Sequence, residues 1–252
     1  MSRPEGTSRP EGVRVQKVLS EAGVTSRRAA EQLIREGRVV VNNTKAVLGQ
    51  RINPERDKVL VDGRLVQVDP TRTYLMLNKP PGVISTAKDP EGRRTVLDIV
   101  GAPARVFPVG RLDAATEGLL LLTDDGELTH RLTHPSFEVS KIYVAEVEGW
   151  VRPAAVRRLL GGVDIEAGKS VRADKVKVLD ARKGPDARSV LEMTLHEGPR
   201  RVVRRMLEAV GHPVLRLVRT GVGPLHLGRL STGTYRNLTP EEVASLYREV
   251  GL

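Results

Sequence analysis

One carboxylate stands out among the residues that could do chemistry. Asp113 ends the segment VGRLD at residues 109–113 and precedes an apolar run at residues 118–122. If this carboxylate is buried, it needs a cationic partner, which also keeps it ionised. The same spacing fits an exposed ion pair with Arg111, or an aspartate that caps a turn. The residues alone leave these interpretations open.

An arginine-rich segment at residues 200–219 is the second candidate. It holds six arginines against one glutamate, and a helix is predicted over residues 200–210. The pairs that lie four residues apart are Arg200 with Arg204 and Arg201 with Arg205. Like charges at this spacing repel each other on a helix. Phosphate groups or a carboxylate would offset the repulsion, whereas a solvated basic face is the simpler structural interpretation.

Several other kinds of site are excluded. The chain has no cysteine, which rules out disulfides, iron–sulfur clusters and thiolate zinc sites. The motifs GxxxxGK[ST], GxGxxG and HExxH are missing. His130 and His134 are four residues apart, but a metal site needs three or more ligands and no third one is near. We therefore expect neither a metal nor a cofactor.

The elements that must position these residues predict an α+β protein in two parts. In residues 13–68, apolar side chains at helical spacing predict two helices, the second capped by Ser26, followed by short strands. From residue 73 to residue 252, strands outnumber helices and hairpin-like turns separate them, which favours a mostly antiparallel sheet. Residues 1–12 repeat SRPEG and predict a disordered tail, and residues 69–72 predict a linker.

In the second part, the pattern predicts strands over residues 74–77, 118–122, 141–147 and 189–195. The sequence NKPPG at residues 78–82 is expected to break the first of these strands. Helices are predicted over residues 152–160 and 200–210. A capping box at residues 239–242 predicts the start of a last helix.

The charge of the chain points to a polyanionic partner. The net charge is +10 and the isoelectric point is about 10.2, which favours nucleic acid over a merely soluble basic protein. The first 72 residues are the more basic part, with 14 basic and 9 acidic side chains. Mean hydropathy is −0.26 and no apolar run reaches about 18 residues, so no membrane span is expected. Since no signal peptide is visible, we expect a cytoplasmic protein.

Several motifs agree in order and spacing with one family. The chain resembles the bacterial ribosomal pseudouridine synthases that carry an S4 RNA-binding domain, over about residues 13–245. The motifs are VQKVLSEAGVTSRRAAEQLIREGRVVVN at residues 15–42, LNKPPG at 77–82, GRLDAATEGLLLLTDDGEL at 110–128, SKIYVAEV at 140–147 and RRVVRRMLEAVGHPVLRLVR at 200–219. The resemblance implies an S4-like domain at residues 13–68 and a catalytic domain at residues 73–252. It also implies cofactor-independent isomerisation of uridine to pseudouridine.

The resemblance also assigns roles residue by residue. Asp113 matches the catalytic aspartate, Tyr143 the tyrosine that packs against the target base, and Arg204 the basic residue that pairs with the aspartate. Arg111 matches the arginine that helps to occupy the space left by the flipped uridine, and Leu217 an apolar residue of the pocket. Two features depart from the family pattern: Val202 stands where a glutamine is usual, and Gly198-Pro199-Arg200 replaces Gly-Arg-Asn.

The expected partner is ribosomal RNA, with the chain acting as a monomer. The motifs look closer to the large-subunit enzymes, which implies a hairpin of 23S rRNA, free or within an assembly intermediate. A small-subunit (16S) enzyme and a non-catalytic S4-type assembly protein are the alternatives. The residues expected to bind RNA are Arg14, Lys17, Arg27, Arg28, Arg35 and Arg38 in the first part, and Arg200, Arg201 and Arg205 in the second.

Overall fold

The computed structural model describes residues 12–22, 24–54, 56–66, 72–101, 106–166, 169–196 and 199–252. The chain divides into two compact units, Met1–Arg72 and Thr73–Leu252. Most of the predicted tail and of the predicted linker lies outside the described residues. The chain combines helices with mostly antiparallel strands, which confirms the predicted α+β class. No helix in the described ranges is long and apolar enough to cross a membrane.

The N-terminal unit packs two helices against short strands. Its elements are β1 (Val13–Arg14), α1 (Val15–Glu21), α2 (Arg27–Arg35), β2 (Val39–Val41), β3 (Thr44–Lys45), β4 (Arg51–Ile52), β5 (Val59–Val61) and β6 (Arg64–Leu65). Ser26 caps α2 as predicted, because its side chain accepts a hydrogen bond from the backbone N–H of Ala29. Apolar side chains of both helices and of β2 form the core, among them Val15, Leu19, Ala30, Ile34 and Val39.

The second unit is built on one large sheet. Its elements are β7 (Tyr74–Lys79), α3 (Val96–Val100), β8 (Phe107–Pro108), β9 (Glu117–Thr123), α4 (Gly126–Thr133), a 3₁₀ helix (Pro135–Phe137), β10 (Lys141–Glu148), α5 (Pro153–Gly161), β11 (Val163–Glu166), β12 (Lys169–Val171), β13 (Lys175–Arg182), β14 (Arg188–Leu195), α6 (Val202–Ala209), β15 (Val214–Val222), β16 (Leu225–His226), β17 (Tyr235–Asn237) and α7 (Pro240–Glu249). Thr239 and Glu242 form the predicted capping box of α7.

Within the described residues, nine strands join this sheet. The order across it is β13-β14-β10-β15-β9-β7-β17, with β16 beside β15 and β8 beside β9. Neighbouring strands are antiparallel except β9 and β15, which run parallel. The sheet therefore brings β9, from the middle of the unit, next to a strand that comes about 100 residues later in the chain.

The leucine run of β9 is buried on both faces of the sheet. Leu119 and Leu121 pack in one hydrophobic cluster, and Leu120 and Leu122 pack in another. Successive side chains of a strand point to opposite faces, so four consecutive leucines fill two separate cores. This double burial makes β9 a rigid base for the loop that precedes it.

The predicted break in β7 at Asn78 is wrong. The strand continues through Lys79, and both of these polar residues are buried. Asn78 Nδ2 donates a hydrogen bond to the carbonyl of Leu230 at 2.7 Å, and Lys79 Nζ donates to three carbonyls. Because these polar groups find partners inside the fold, they remain in the strand.

The predicted start of α6 is also wrong. The helix begins at Val202, and Arg201 precedes it as an N-cap with φ of +58°. Arg200 and Arg201 therefore lie outside the helix, and neither of the two predicted arginine pairs stacks on it. Left-handed backbone at Arg201 cannot continue a right-handed helix, which is why the helix starts later than predicted.

Gly118 permits the close approach of β9 and β15. Its φ is +105°, and a Cβ built there would lie 2.2 Å from the carbonyl oxygen of Arg219. An L-residue rarely adopts this backbone conformation, and no Cβ fits at this distance. The parallel pairing of the two strands at this point requires glycine.

Replacing Gly118 with alanine is expected to destabilise the second unit by about 3–5 kcal/mol, from strained backbone and a clash with Arg219. Urea unfolding of the full chain measures this loss. Trp150 is the only tryptophan of the chain and lies in the second unit, so its fluorescence reports that unit. The control is Gly211→Ala, where φ is +87° but the space around a Cβ is open to 4 Å. Equal losses in the two variants would contradict the role of the close contact.

Candidate active site

A cavity of about 640 Å³ lies in the second unit. Residues of β10, β14 and β15, the segment before β9, and the start of α6 line it. The predicted site residues that line it are Arg111, Asp113, Tyr143, Arg200, Arg201 and Leu217. Arg204 and Arg205 lie on α6 beyond the residues that line the cavity.

Asp113 provides the only carboxylate among the described residues that line the cavity. It is half-buried in the loop between β8 and β9. The other charged side chains of the wall are cationic: Arg111, Lys141, Arg200, Arg201 and Arg219. A single acid thus faces a wall with a surplus of positive charge.

The segment at residues 112–116, here called the Asp113 loop, is held at its start by Ser85. The buried Ser85 hydroxyl accepts a hydrogen bond from the Leu112 N–H at 3.1 Å and donates to the Leu112 carbonyl at 2.9 Å. At the end of the loop, the N–H of Thr116 donates to the Asp113 carbonyl at 2.9 Å. These bonds fix the backbone on both sides of the carboxylate.

Lys79 holds the second half of the same loop. This side chain is fully buried, and its Nζ donates to the carbonyls of Pro80, Ala114 and Thr116 at 3.0, 3.2 and 2.9 Å. Burial lowers the pKa of Lys79 to about 8, while the charges of Asp113 and Glu117 act in the opposite direction. Lys79 therefore connects β7 to the Asp113 loop from inside the protein.

Arg204 reaches the loop from α6. Its Nη2 donates to the Ala115 carbonyl at 3.0 Å, and its Nη1 donates to the Val214 carbonyl at 3.4 Å. Burial lowers the pKa of Arg204, the charge of Arg201 adds to this, and Asp113 opposes it. Among the described ion pairs within 4.0 Å, none joins Arg204 to Asp113. The guanidinium thus contacts the backbone of the loop and acts on the carboxylate through space.

An ion pair between Glu117 and Arg216 lies where the Asp113 loop ends and β9 begins. Arg216 Nε and Nη2 each donate to a carboxylate oxygen of Glu117 at 2.9 Å. This two-point pairing lowers the pKa of Glu117, although burial acts against the shift. Since Arg216 belongs to β15, the pair adds a second connection between β9 and β15.

Tyr143 and Leu217 lie on neighbouring strands of the cavity wall. Tyr143 is half-buried on β10, and Leu217 on β15 lies opposite Ala145, two residues further along β10. Side chains two residues apart on a strand share a face, so Tyr143 and Leu217 are diagonal neighbours. Together they give the cavity a flat aromatic surface beside an aliphatic one.

The remaining predicted RNA-binding residues differ in exposure and in whether they form ion pairs within the protein. Arg205 forms an ion pair with Glu166 at 2.6 Å, and Arg38 binds both carboxylate oxygens of Asp62 at 2.8 and 2.6 Å. The exposed members of the N-terminal unit are Arg14, Arg27, Arg28, Arg35 and Arg38, whereas Lys17 is half-buried. Arg38 and Arg205 therefore have part of their charge balanced within the protein.

The sequence analysis missed three cations of the site: Lys79, which holds the Asp113 loop, and Lys141 and Arg219, which line the cavity. Strand alternation could have found two of them. Lys141 lies two residues from Tyr143 on β10, and Arg219 lies two residues from Leu217 on β15. The burial of Lys79 had no such signal, because the polar pair Asn78-Lys79 and the following prolines are typical of a loop.

The two units match two known families. The pattern described as RNA pseudouridylate synthase matches residues 73–209, and the S4 domain pattern matches residues 13–57. An uncharacterised RNA pseudouridine synthase of Mycobacterium tuberculosis is 46% identical over the full length of both chains. A ribosomal large subunit pseudouridine synthase B of Bacillus subtilis is 45% identical, over 92% of this chain and 95% of that protein. A crystal structure of a pseudouridylate synthase superimposes with a TM-score of 0.66 at 29% identity, over 93% of this chain and 100% of that one.

The pKa of Lys79 predicts how stability changes with pH. Between about pH 8 and the value of about 10.4 for an unfolded lysine, the unfolded chain binds a proton that the folded chain has released. The free energy of unfolding should therefore rise with pH in this window through Lys79. In Lys79→Met this contribution is absent, so the wild type should gain stability over the variant between pH 7.5 and pH 10.

Urea unfolding followed by Trp150 fluorescence measures this difference at each pH. Lys177→Met is the control, because it removes the same charge from an exposed position on β13. Its difference from the wild type should stay constant over the window. A constant difference for Lys79→Met as well would contradict the lowered pKa.

Proposed function

The chain belongs to the RNA pseudouridylate synthase family, and we propose that it isomerises one uridine of 23S ribosomal RNA with Asp113 as the catalytic carboxylate. The observation that carries this proposal is the position of Asp113. It is the one carboxylate among the described residues of the cavity wall, and its loop is fastened by Ser85, Lys79 and Arg204. A catalytic group must be held in a fixed geometry to be effective.

The reaction suits a site with one carboxylate and no cofactor. The bond between the sugar and a ring nitrogen breaks, and a bond between the sugar and a ring carbon forms, without net oxidation or reduction. Asp113 acts in its ionised form on the sugar or on the base. Formation of a covalent adduct and abstraction of a sugar proton both start from this same carboxylate.

Tyr143 and Leu217 are assigned to the base. The target uridine must leave its stack, which costs a few kcal/mol. Tyr143 offers a flat face on which the extruded base can stack, and Leu217 packs beside it. Arg111 is exposed at the edge of the cavity and helps to occupy the space that the uridine vacates.

Arg204 is assigned to stabilise the negative charge of Asp113. Its guanidinium interacts with that charge and donates to the Ala115 carbonyl, so it acts on both the charge and the position of the carboxylate. A cation near a carboxylate attracts its negative charge.

The RNA is held by both units. Arg14, Lys17, Arg27, Arg28, Arg35 and Arg38 belong to the S4 unit, and Arg200, Arg201 and Arg205 lie near the cavity. The large-subunit assignment is supported by the names of the relatives from Bacillus subtilis and other bacteria. The substrate is 23S rRNA, free or in an assembly intermediate, and the chain acts as a monomer. The alternatives are a 16S rRNA enzyme and a non-catalytic S4-type assembly protein.

Asp113→Asn should abolish pseudouridine formation, with a rate loss of at least about a thousandfold, because the amide cannot replace the carboxylate. In cells that lack the gene, one position of 23S rRNA should lose its pseudouridine. The wild type should restore it and Asp113→Asn should not, although both should bind RNA with similar affinity.

Asp186→Asn is the control, since it makes the same change at an exposed position. A missing position in 16S rRNA would favour the small-subunit alternative. Rescue by Asp113→Asn would refute the catalytic role, and an unchanged set of pseudouridines would favour the non-catalytic alternative.

Loss of Arg27 and Arg28 should weaken RNA binding and lower its salt dependence. Each lost phosphate contact reduces the slope of log K against log salt by about 0.9 on a duplex and about 0.7 on a single strand. When both arginines are changed to glutamine in the full chain, the slope measured by filter binding should fall by up to twice the amount for one contact. The control is the double change Lys45→Gln and Arg64→Gln, which removes two exposed charges from strands β3 and β6 of the same unit. Equal slopes for both double variants would contradict the assigned RNA surface.

A further inference from the structure

Two cations of the cavity wall have no role in the assignment above. Lys141 and Arg219 both line the cavity. Lys141 lies two residues before Tyr143 on β10, about 6.6 Å along the strand, and therefore on the same face. Arg219 lies directly opposite Tyr143 on β15. The two cations are thus neighbours of Tyr143 on one surface of the sheet, Lys141 along its strand and Arg219 across from it.

Arg219 is a buried charge. The residue is only 6% exposed, and its Nε donates to the carbonyl of Leu119 at 2.8 Å. Its position depends on Gly118, because the parallel pairing of Arg219 with Gly118 brings the two backbones into contact. The fold therefore holds this guanidinium at a defined place in the wall.

Neither cation has a carboxylate partner among the described residues. In the part of the chain that the structure describes, no carboxylate oxygen lies within 4.0 Å of the charged nitrogens of Lys141 or Arg219. Lys141 Nζ donates instead to the carbonyl of His196 at 3.2 Å. Both cations are thus anchored by backbone carbonyls, which orient them without neutralising them.

This arrangement is unfavourable in the free protein. Burial lowers the pKa of Lys141, and the like charge of Arg219 adds to the effect. A buried charge without a counter-charge costs free energy, and two adjacent like charges increase this cost. Asp113 does not neutralise either cation by direct contact, because the described ion pairs join Asp113 to neither residue. An anion that enters the cavity supplies the counter-charge that the two cations lack.

We propose that Lys141 and Arg219 form a phosphate subsite of the cavity, which binds the phosphodiester next to the target uridine. This inference rests on the proposed function, since it takes the extruded base to stack on Tyr143. The phosphate is joined to that base through its sugar, and the two cations are the neighbours of Tyr143 along its strand and across the sheet. The planar fork of Arg219 and the point charge of Lys141 match the oxygens of one phosphate.

The subsite acts on binding and leaves the chemical step unchanged. Its contacts to phosphate form when the nucleotide enters the cavity, and they offset part of the cost of base extrusion. Contacts that are equal in the ground state and the transition state change KM and leave kcat unaltered. Lys141 and Arg219 are therefore binding residues in this assignment.

The test compares Lys141→Gln with Lys177→Gln in the full chain. Lys177 is exposed on β13 of the same sheet and does not line the cavity. For binding to a 23S rRNA transcript, Lys141→Gln should raise Kd about tenfold and lower the salt slope by about 0.7–0.9. Lys177→Gln should have a smaller effect on Kd, and Lys141→Arg should restore most of the affinity. In turnover, Lys141→Gln should raise KM at unchanged kcat.

Competition by uridine, uridine 5′-monophosphate and uridine 3′-monophosphate shows which phosphate is bound. One monophosphate should displace the RNA at a lower concentration than uridine does, and Lys141→Gln should remove this advantage. Equal competition by all three compounds in the wild type would overturn the proposal. So would a Kd for Lys141→Gln equal to that of Lys177→Gln, or a loss confined to kcat.

Failure of the proposed function can be distinguished from failure of the phosphate subsite. In that case the wild type forms no pseudouridine, whereas the binding and competition measurements still report on the subsite. Arg219 is tested by Arg219→Lys, which keeps the charge and removes the fork. If this variant does not fold, the comparison of Lys141→Gln with Lys177→Gln decides the proposal by itself.

Discussion

The Asp113 loop depends on hydrogen bonds between its backbone carbonyls and two cations, the buried Lys79 and the half-buried Arg204. Lys79 binds the carbonyls of Ala114 and Thr116, and Arg204 binds that of Ala115. The Thr116 carbonyl meets Lys79 inside the protein, and an unsatisfied buried carbonyl there would cost about 1–3 kcal/mol. The two donors belong to β7 and α6, so the loop keeps its shape only when both elements are in place.

The same cations determine the electrostatics of the site. Lys79 and Arg204 interact with the charge of Asp113, whereas Lys141 and Arg219 lie on β10 and β15 in the cavity wall and have no carboxylate partner among the described residues. The positive charge in and around the cavity thus has two separate uses in our proposals. One part positions the acid and stabilises its negative charge, and the other part receives an anion of the substrate. The cations of the S4 unit are more exposed, and there Arg38 is balanced by Asp62.

Helix-capping and strand-alternation patterns predicted those elements whose stabilising contacts lie between residues close in sequence. Ser26 caps α2 and Thr239 with Glu242 forms a capping box, because these bonds join residues three positions apart. The strand that carries Tyr143 has its predicted position, and alternation places its side chains on the sheet. The failures occurred at Lys79 and Arg201. Lys79 finds two of its acceptors at least 35 residues later in the chain, and Arg201 adopts left-handed backbone that its residue type does not signal.

By itself, the sequence determined the two-part α+β organisation and the family motifs, and the resemblance that those motifs carry pointed to Asp113 as the candidate acid. These depend on residue types, spacing and periodicity, all of which are local properties of the chain. Only the tertiary structure decided how the Asp113 loop is held, and that Arg204 contacts the backbone at Ala115 without a direct ion pair to Asp113. It also decided that Lys141 and Arg219 line the same cavity as Tyr143. The reason is that burial and charge pairing depend on strands distant in sequence, such as β9 and β15, which meet only because Gly118 lets their backbones touch.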